Sequence, residues 1–138
     1  MAHLHRAVAT LRIAGDDLVI SEVSALLGAE PSIAREKGKE WRTPSGKSTI
    51  ARTGQWHLHA GDTEPENLDA QVEELLGKLT SDLSVWESLS AKFEVDLFCG
   101  WFMQEWNEGV NVSPSTLKAL GERGILLGVD IYGPDSEA

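Results

Sequence analysis

The sequence predicts an α+β domain in which helices cover one face of a single sheet. Apolar residues alternate with polar ones along several short segments, and they recur at helical spacing between residues 68 and 89. Gly, Pro, Asp and Ser separate these segments. The 138 residues suffice for one core, so we expect a single domain over residues 1–138, with residues 1–5 and 133–138 flexible.

The first predicted strand covers residues 7–14, and a short helix follows it. Ser21 is the expected N-cap of this helix, and Gly28 stands where a left-handed C-terminal residue is favoured. Pro31 prevents the helix from continuing.

Residues 33–43 and 49–60 are predicted to form a hairpin around the turn-forming residues 43–46. The sequence leaves the register of these two strands open. Trp41 is therefore a possible residue of the sheet face opposite the helices, depending on that register.

The principal helix follows a predicted capping box, Thr63 with Glu66, and carries apolar residues from 68 to 89. Gly77 and the Thr-Ser-Asp stretch at 80–82 lie inside the pattern. We expect a kink or a division into two helices there.

Three more elements complete the chain. Residues 93–102 form the next predicted strand, and residues 125–132 form the last. Between them, Ser113 and Pro114 are typical of the N-cap and first position of a short helix that Gly121 and Gly124 close.

The resulting order is β-α-β-β-α-β-α-β, in which a ferredoxin-like β-α-β-β-α-β arrangement is extended by a further helix and strand. Right-handed crossovers place the helices on one face, with the strands in the order second, third, first, fourth, fifth. The opposite face is expected to be open.

Alternation along the strands assigns side chains to the two faces. The face toward the helices is predicted to hold Leu11, Ile13, Trp56, Leu58, Val95, Leu97, Cys99, Trp101, Leu127, Val129 and Ile131. The open face is predicted to hold Thr10, Arg12, Gln55, His57, His59, Glu94, Asp96, Phe98, Phe102, Asp130 and Tyr132.

A Val-Asp-apolar-aromatic pattern occurs at residues 95–98 and again at 129–132, and it places a carboxylate inside each strand. The strand order puts Arg12 beside Asp96, so an ion pair on the open face is the simplest explanation of that charge. Asp130 is open to the same explanation.

His57 and His59 project to one side of a strand, a spacing that suits two metal ligands, to which Asp96 or Asp130 could add a carboxylate. A plain surface position is favoured over a metal site, because His3 and His5 belong to the segment expected to be flexible. No cofactor is expected. Cys99, the single cysteine, is predicted to be a buried packing residue and not a nucleophile.

The net charge of −10 disfavours nucleic acids and anionic membranes as partners. No apolar run has membrane-spanning length and no secretory signal precedes the domain, so we expect a cytoplasmic protein. Residues 35–52 carry a net charge of +4, which indicates either a solvated hairpin that protects a sheet edge or a site for an acidic partner.

The chain resembles, over nearly its whole length, a bacterial family catalogued as domain of unknown function 4279. The resemblance rests on residues 11–18, 24–28, 56–58, 95–102 and 127–132, of which the block Val-Asp-Leu-Phe-Cys-Gly-Trp-Phe at 95–102 is the most specific. It implies bacterial origin and a shared architecture, and it carries over no catalytic residue.

Three functions remain open. The favoured one is a non-catalytic binding or protein-interaction module whose open face meets a partner, including a second copy of the chain, because Phe98, Phe102 and Tyr132 are expected to be exposed there. A toxin-neutralising immunity protein is a related alternative, since an acidic domain suits a basic toxin. The other alternative is a small metal- or ligand-dependent enzyme that uses His57, His59, Asp96 and Asp130, with a small-molecule ligand on the open face.

Overall fold

The computed structural model describes residues 6–134. The predicted flexible segments at 1–5 and 135–138, with His3 and His5, lie outside the described residues, whereas Gly133 and Pro134 lie within them.

The described residues form seven strands and four helices. In chain order they are β1 (Arg6–Gly15), α1 (Ile20–Leu27), β2 (Ile33–Arg35), β3 (Glu40–Arg42), β4 (Ser48–Ile50), β5 (Gly54–His59), α2 (Leu68–Gly77), α3 (Leu83–Lys92), β6 (Glu94–Phe102), α4 (Pro114–Glu122) and β7 (Leu126–Tyr132). Within residues 6–134, no helix has the length and apolar character needed to cross a membrane.

The main sheet has the strand order β2-β5-β1-β6-β7. Only β6 and β7 are parallel; the other neighbouring strands are antiparallel. The predicted strand order is therefore confirmed, because β2 lies in the predicted second strand and β5 in the third. The pairings are compatible with the ferredoxin-like plan, and α4 makes the crossover that parallel β6 and β7 require.

The predicted hairpin is divided into two pairs of strands. β2 and β5 join the main sheet, whereas β3 and β4 form a separate two-stranded sheet. The division arises at Gly38, whose φ of 82° forms a turn that ordinary residues disfavour. The Gly38 N–H donates to the carbonyl of Ala51. This bond joins the break between β2 and β3 to the break between β4 and β5.

The predicted division of the principal helix is confirmed, since α2 ends at Gly77 and α3 begins at Leu83. The predicted capping box is wrong. The side chain of Asn67 caps α2 by accepting from the Ala70 N–H, while Thr63 exchanges backbone hydrogen bonds with Ala7 and stays extended. A residue held against β1 in this way cannot begin the helix.

The predicted N-cap of α1 is also wrong. The helix begins at Ile20, one residue before Ser21, and its cap residue Val19 supplies no side-chain hydrogen bond. The carboxylate of Glu36 instead accepts from the Ile20 N–H at 2.7 Å. A residue distant in sequence thus satisfies the helix end.

The core lies between the sheet and the helices. Of the side chains predicted to face the helices, the structure buries Leu11, Ile13, Trp56, Leu58, Val95, Leu97 and Cys99. Trp101, Leu127 and Val129 are partly buried, but Ile131 is 60% exposed, so its predicted burial is wrong. The nine residues of α4 span about 13 Å, which is too short to cover the far end of an edge strand about 23 Å long.

Candidate interaction surface on the open sheet face

The sheet face opposite the helices, called here the open face, presents the side chains that alternate with the buried ones. Strand pairing aligns them in rows across the sheet. Arg12 lies between His57 and Asp96, and Phe102 lies between Arg6 and Tyr132. The predicted position of Arg12 is thus confirmed, and Arg6 is an addition, because the predicted first strand began one residue later.

Arg12 and Asp96 form a two-point ion pair at the centre of the open face. The guanidinium Nε donates to Oδ1 at 2.8 Å, and Nη2 donates to Oδ2 at 2.7 Å. This hydrogen bonding raises the pKa of Arg12 against the opposing effect of burial. The same guanidinium lies over the ring of Phe98, 4.7 Å from its centroid. The carboxylate and the ring therefore hold Arg12 from two sides.

His57 is a partly buried neutral side chain next to this pair. Burial, with Arg35 and Arg12 as further causes, lowers the pKa of His57 from 6.5 to about 4. Its Nε2 lies 2.6 Å from the side-chain amide oxygen Oε1 of Gln55, and this oxygen only accepts, so the bond places the proton on Nε2.

His59 shares the open side of β5 with His57, as the spacing predicted, and its Nδ1 lies 3.0 Å from the hydroxyl of Thr10. Residues 6–134 contain no group of three or more His, Cys, Asp or Glu side chains placed to hold a metal ion. In this part of the chain, the two rings and a carboxylate are therefore not assembled into a metal site.

A second cluster lies at the other end of the face. The guanidinium of Arg6 lies 4.2 Å from the centroid of the Phe102 ring, and that ring stacks on Tyr132 at 4.8 Å with an interplanar angle of 11°. Tyr132 is 46% exposed, but Phe102 and Phe98 are only partly exposed. The expected exposure of all three aromatic residues is thus correct for Tyr132 alone, because arginines pack on the other two.

Asp130 differs from Asp96 although the two occupy equivalent positions in the repeated pattern. It is exposed, its strand neighbour on β6 is Gly100, and its side chain makes no hydrogen bond or ion pair with another described residue. Its negative charge nevertheless helps to raise the pKa of Arg12.

Strand β2 also contributes to the open face, which the sequence did not reveal. Ile33 and Arg35 pair with His57 and Gln55, so their side chains point to the same side of the sheet. The Arg35 guanidinium lies 4.2 Å from the centroid of Trp41. Trp41 therefore packs against the side chain of an open-face residue. This position could not be predicted while the register of the hairpin was open.

A depression of about 160 Å³ opens beside the central ion pair. It is lined by Arg12, Ala14, Gln55, Glu94 and Asp96. Ala14 has the smallest side chain of this lining, and Glu94 is exposed. Because Arg12 and Asp96 neutralise each other, Glu94 leaves the depression with a net negative charge.

Two other predictions concern Cys99 and the basic segment at residues 35–52. The thiol of Cys99 is fully buried, and burial raises its pKa to about 12, so it is not a nucleophile at neutral pH. In the basic segment, Lys37 pairs with Asp16 at 3.0 Å and Lys39 with Glu36 at 2.8 Å. Part of that positive charge is therefore neutralised within the protein.

The family model described as domain of unknown function (DUF4279) matches residues 3–134. The chain, a mixed α+β domain, belongs to this family, as the strand blocks indicated. Comparison with curated proteins and with solved structures gave no match.

Proposed function

We propose that this protein is a non-catalytic interaction module that binds a protein partner through the open face of its sheet. The observation that carries the proposal is the two-point pair between Arg12 and Asp96, fixed against Phe98 yet still reachable by solvent. Side chains held in this way lose little further freedom on binding, which favours affinity. The stacked ring of Tyr132 offers a second rigid contact of the kind enriched in interfaces.

The contacts of the candidate catalytic residues favour binding over the enzyme hypothesis. Asp96 is engaged by Arg12, and the side chains of His57 and His59 are each engaged by a polar neighbour. Two strands, β1 and β6, separate Asp130 on β7 from His57 on β5. An acid and a base acting on one substrate need to approach within hydrogen-bond reach of it, which this spacing does not favour.

The charge of the depression favours a partner with a basic surface. The side chain of Glu94, which lines the depression, makes no hydrogen bond or ion pair with residues 6–134, and the chain carries a net charge of −10. The volume of about 160 Å³ has room for a single Lys or Arg side chain. A toxin-neutralising immunity protein, whose toxin is basic, would be one instance of such a module.

A backbone amide NMR titration tests this function with two defined probes, hexalysine and hexaglutamate. We expect hexalysine to shift the amide resonances of Ala14, Gln55 and Glu94, and hexaglutamate to leave them unchanged. Glu94→Gln should weaken the hexalysine response. Glu73→Gln is the matched control, because it removes the same charge from an exposed position on α2.

A localised response that depends on Glu94 supports the open face as the binding surface. If the shifts instead spread over the whole acidic surface, or if the two variants respond alike, the attraction is general and the proposal fails.

A further inference from the structure

Strand β7 forms one edge of the main sheet, and its outer side meets no strand of the described chain. It carries three exposed large apolar side chains, Leu126 at 64%, Ile131 at 60% and Tyr132 at 46%. The opposite edge, β2, has only three residues. A long apolar edge is a template for pairing with another strand, whereas a very short one is protected from it.

The backbone groups available on this edge follow from one hydrogen bond. The Met103 N–H donates to the carbonyl of Tyr132, which therefore points toward β6. Because backbone groups alternate in direction along a strand, those of Leu127, Val129 and Ile131 point outward. A partner strand would bond to these three residues.

We infer that β7 pairs in antiparallel fashion with β7 of a second copy of this chain, with Val129 opposite itself on a two-fold axis. In this register Leu127 of one copy lies opposite Ile131 of the other. Each of these outward-facing pairs exchanges both of its N–H···O bonds. The pairing continues the main sheet across the two copies.

The side chains select this register from the neighbouring ones that the backbone also permits. With Val129 at the centre, Leu126 lies opposite Tyr132 and Asp130 lies opposite Gly128, so no charge meets a like charge or an apolar side chain. A register centred on Asp130 would place two carboxylates face to face. One centred on Gly128 would place Leu126 opposite Asp130.

This inference goes beyond the proposed function, since it concerns the sheet edge and the two surfaces can be tested separately. Pairing through β7 would set the open faces of the two copies side by side, with Leu126 of one copy beside Tyr132 of the other. The hexalysine titration does not depend on this pairing. Binding through the open face and pairing through β7 can therefore each be disproved without the other.

Position 128 offers a test of both the pairing and its register. A Cβ on Gly128 would meet only Leu126 Cδ2 at 3.9 Å, and the residue has no positive φ, so the monomer accepts a side chain there. In the proposed dimer this side chain lies opposite Asp130 of the other copy, twice by symmetry. Gly128→Asp should therefore weaken the dimer, and Gly128→Lys should strengthen it.

Sedimentation velocity over about 1–100 µM protein measures the association. We expect the wild type to form a dimer, Gly128→Asp to raise its dissociation constant about fivefold or more, and Gly128→Lys to lower it by a similar factor. The controls are Gly109→Asp and Gly109→Lys, which make the same charge changes at an exposed residue with open space around it. They should have a smaller effect, reflecting net charge alone.

Ile131→Pro provides an independent check, because it removes an outward-facing N–H from an exposed edge residue and leaves the bonds to β6 in place. It should yield a folded monomer. A wild type that stays monomeric over the whole range overturns the inference. A dimer that responds equally to changes at positions 128 and 109, or that survives Ile131→Pro, overturns it as well.

Discussion

Arg12 and Asp96 lie directly opposite each other on β1 and β6 and share two hydrogen bonds of 2.8 and 2.7 Å. This pair explains a carboxylate in the middle of a strand whose neighbours Val95 and Leu97 are buried. The repeated pattern places Asp130 in the same local context, but its neighbour on β6 is Gly100 and it remains unpaired among the described residues. The same sequence pattern thus has two outcomes, decided by the adjacent strand.

Asp96→Ala should lower the free energy of unfolding by about 1 kcal/mol, because it leaves a half-buried guanidinium without its carboxylate. The loss is modest because water still reaches both side chains. Urea denaturation followed by circular dichroism measures it.

Asp130→Ala is the matched control, and it should change the free energy of unfolding by less than about 0.5 kcal/mol. Equal stability of the Asp96→Ala variant and the wild type would contradict the structural role of the pair. The carboxylate would then be retained for a contact with a partner.

The partly buried imidazole of His57 should make the protein less stable in mild acid. Its pKa in the folded state is about 4, below the unfolded value of 6.5, so the unfolded chain binds this proton first as the pH falls. The contribution of neutral His57 to stability is therefore fully present above pH 6.5 and declines as the pH falls from 6.5 toward 4.

Urea denaturation at pH 7 and pH 5, for the wild type and for His57→Asn, isolates this contribution. The wild type should lose about 1 kcal/mol more than the variant between these pH values, a figure that allows for the partial exposure of the ring. An identical loss in both proteins would show that the folded structure does not lower the pKa of His57.

The order of the strands could be predicted because it depends on features that a sequence displays directly. Alternation identifies the strands and their buried faces, and the right-handed crossover rule leaves few ways to connect them. The pair between Arg12 and Asp96 followed from this order, since opposite charges on neighbouring strands attract.

The predictions that were wrong concern contacts between residues that are distant in sequence. The cap of α1 comes from Glu36, and Thr63 is held extended by its backbone pairing with Ala7. Arg6 covers Phe102 from the neighbouring strand, and Ile131 is exposed because α4 is short. None of these effects leaves a local signal, because each depends on where another segment comes to lie.

Cys99 should resist thiol reagents as long as the protein is folded. Its side chain is fully buried and burial raises the pKa of the thiol to about 12, so almost no thiolate is present at pH 8. Ellman's reagent should label it rapidly in denaturing urea and only over hours in buffer. Rapid labelling of the folded protein would indicate that β6 opens locally.

Two glycine substitutions should have opposite effects on stability. A Cβ on Gly54 would lie 2.6 Å from the carbonyl oxygen of Gly15 on β1 and 2.8 Å from the Cβ of Leu18, and backbone atoms cannot move aside without distorting the pairing of β1 and β5. Gly54→Ala should therefore lower the free energy of unfolding by about 2–3 kcal/mol.

Gly77, the last residue of α2, has nothing within 4 Å of the position of an added Cβ and no positive φ. Gly77→Ala should raise the free energy of unfolding by about 0.5–1 kcal/mol, because alanine restricts the unfolded chain and favours the helix. Urea denaturation of the two variants and the wild type measures both changes in the free energy of unfolding. If both changes destabilise equally, α2 does not reach Gly77 in solution, and the division between α2 and α3 lies earlier in the chain.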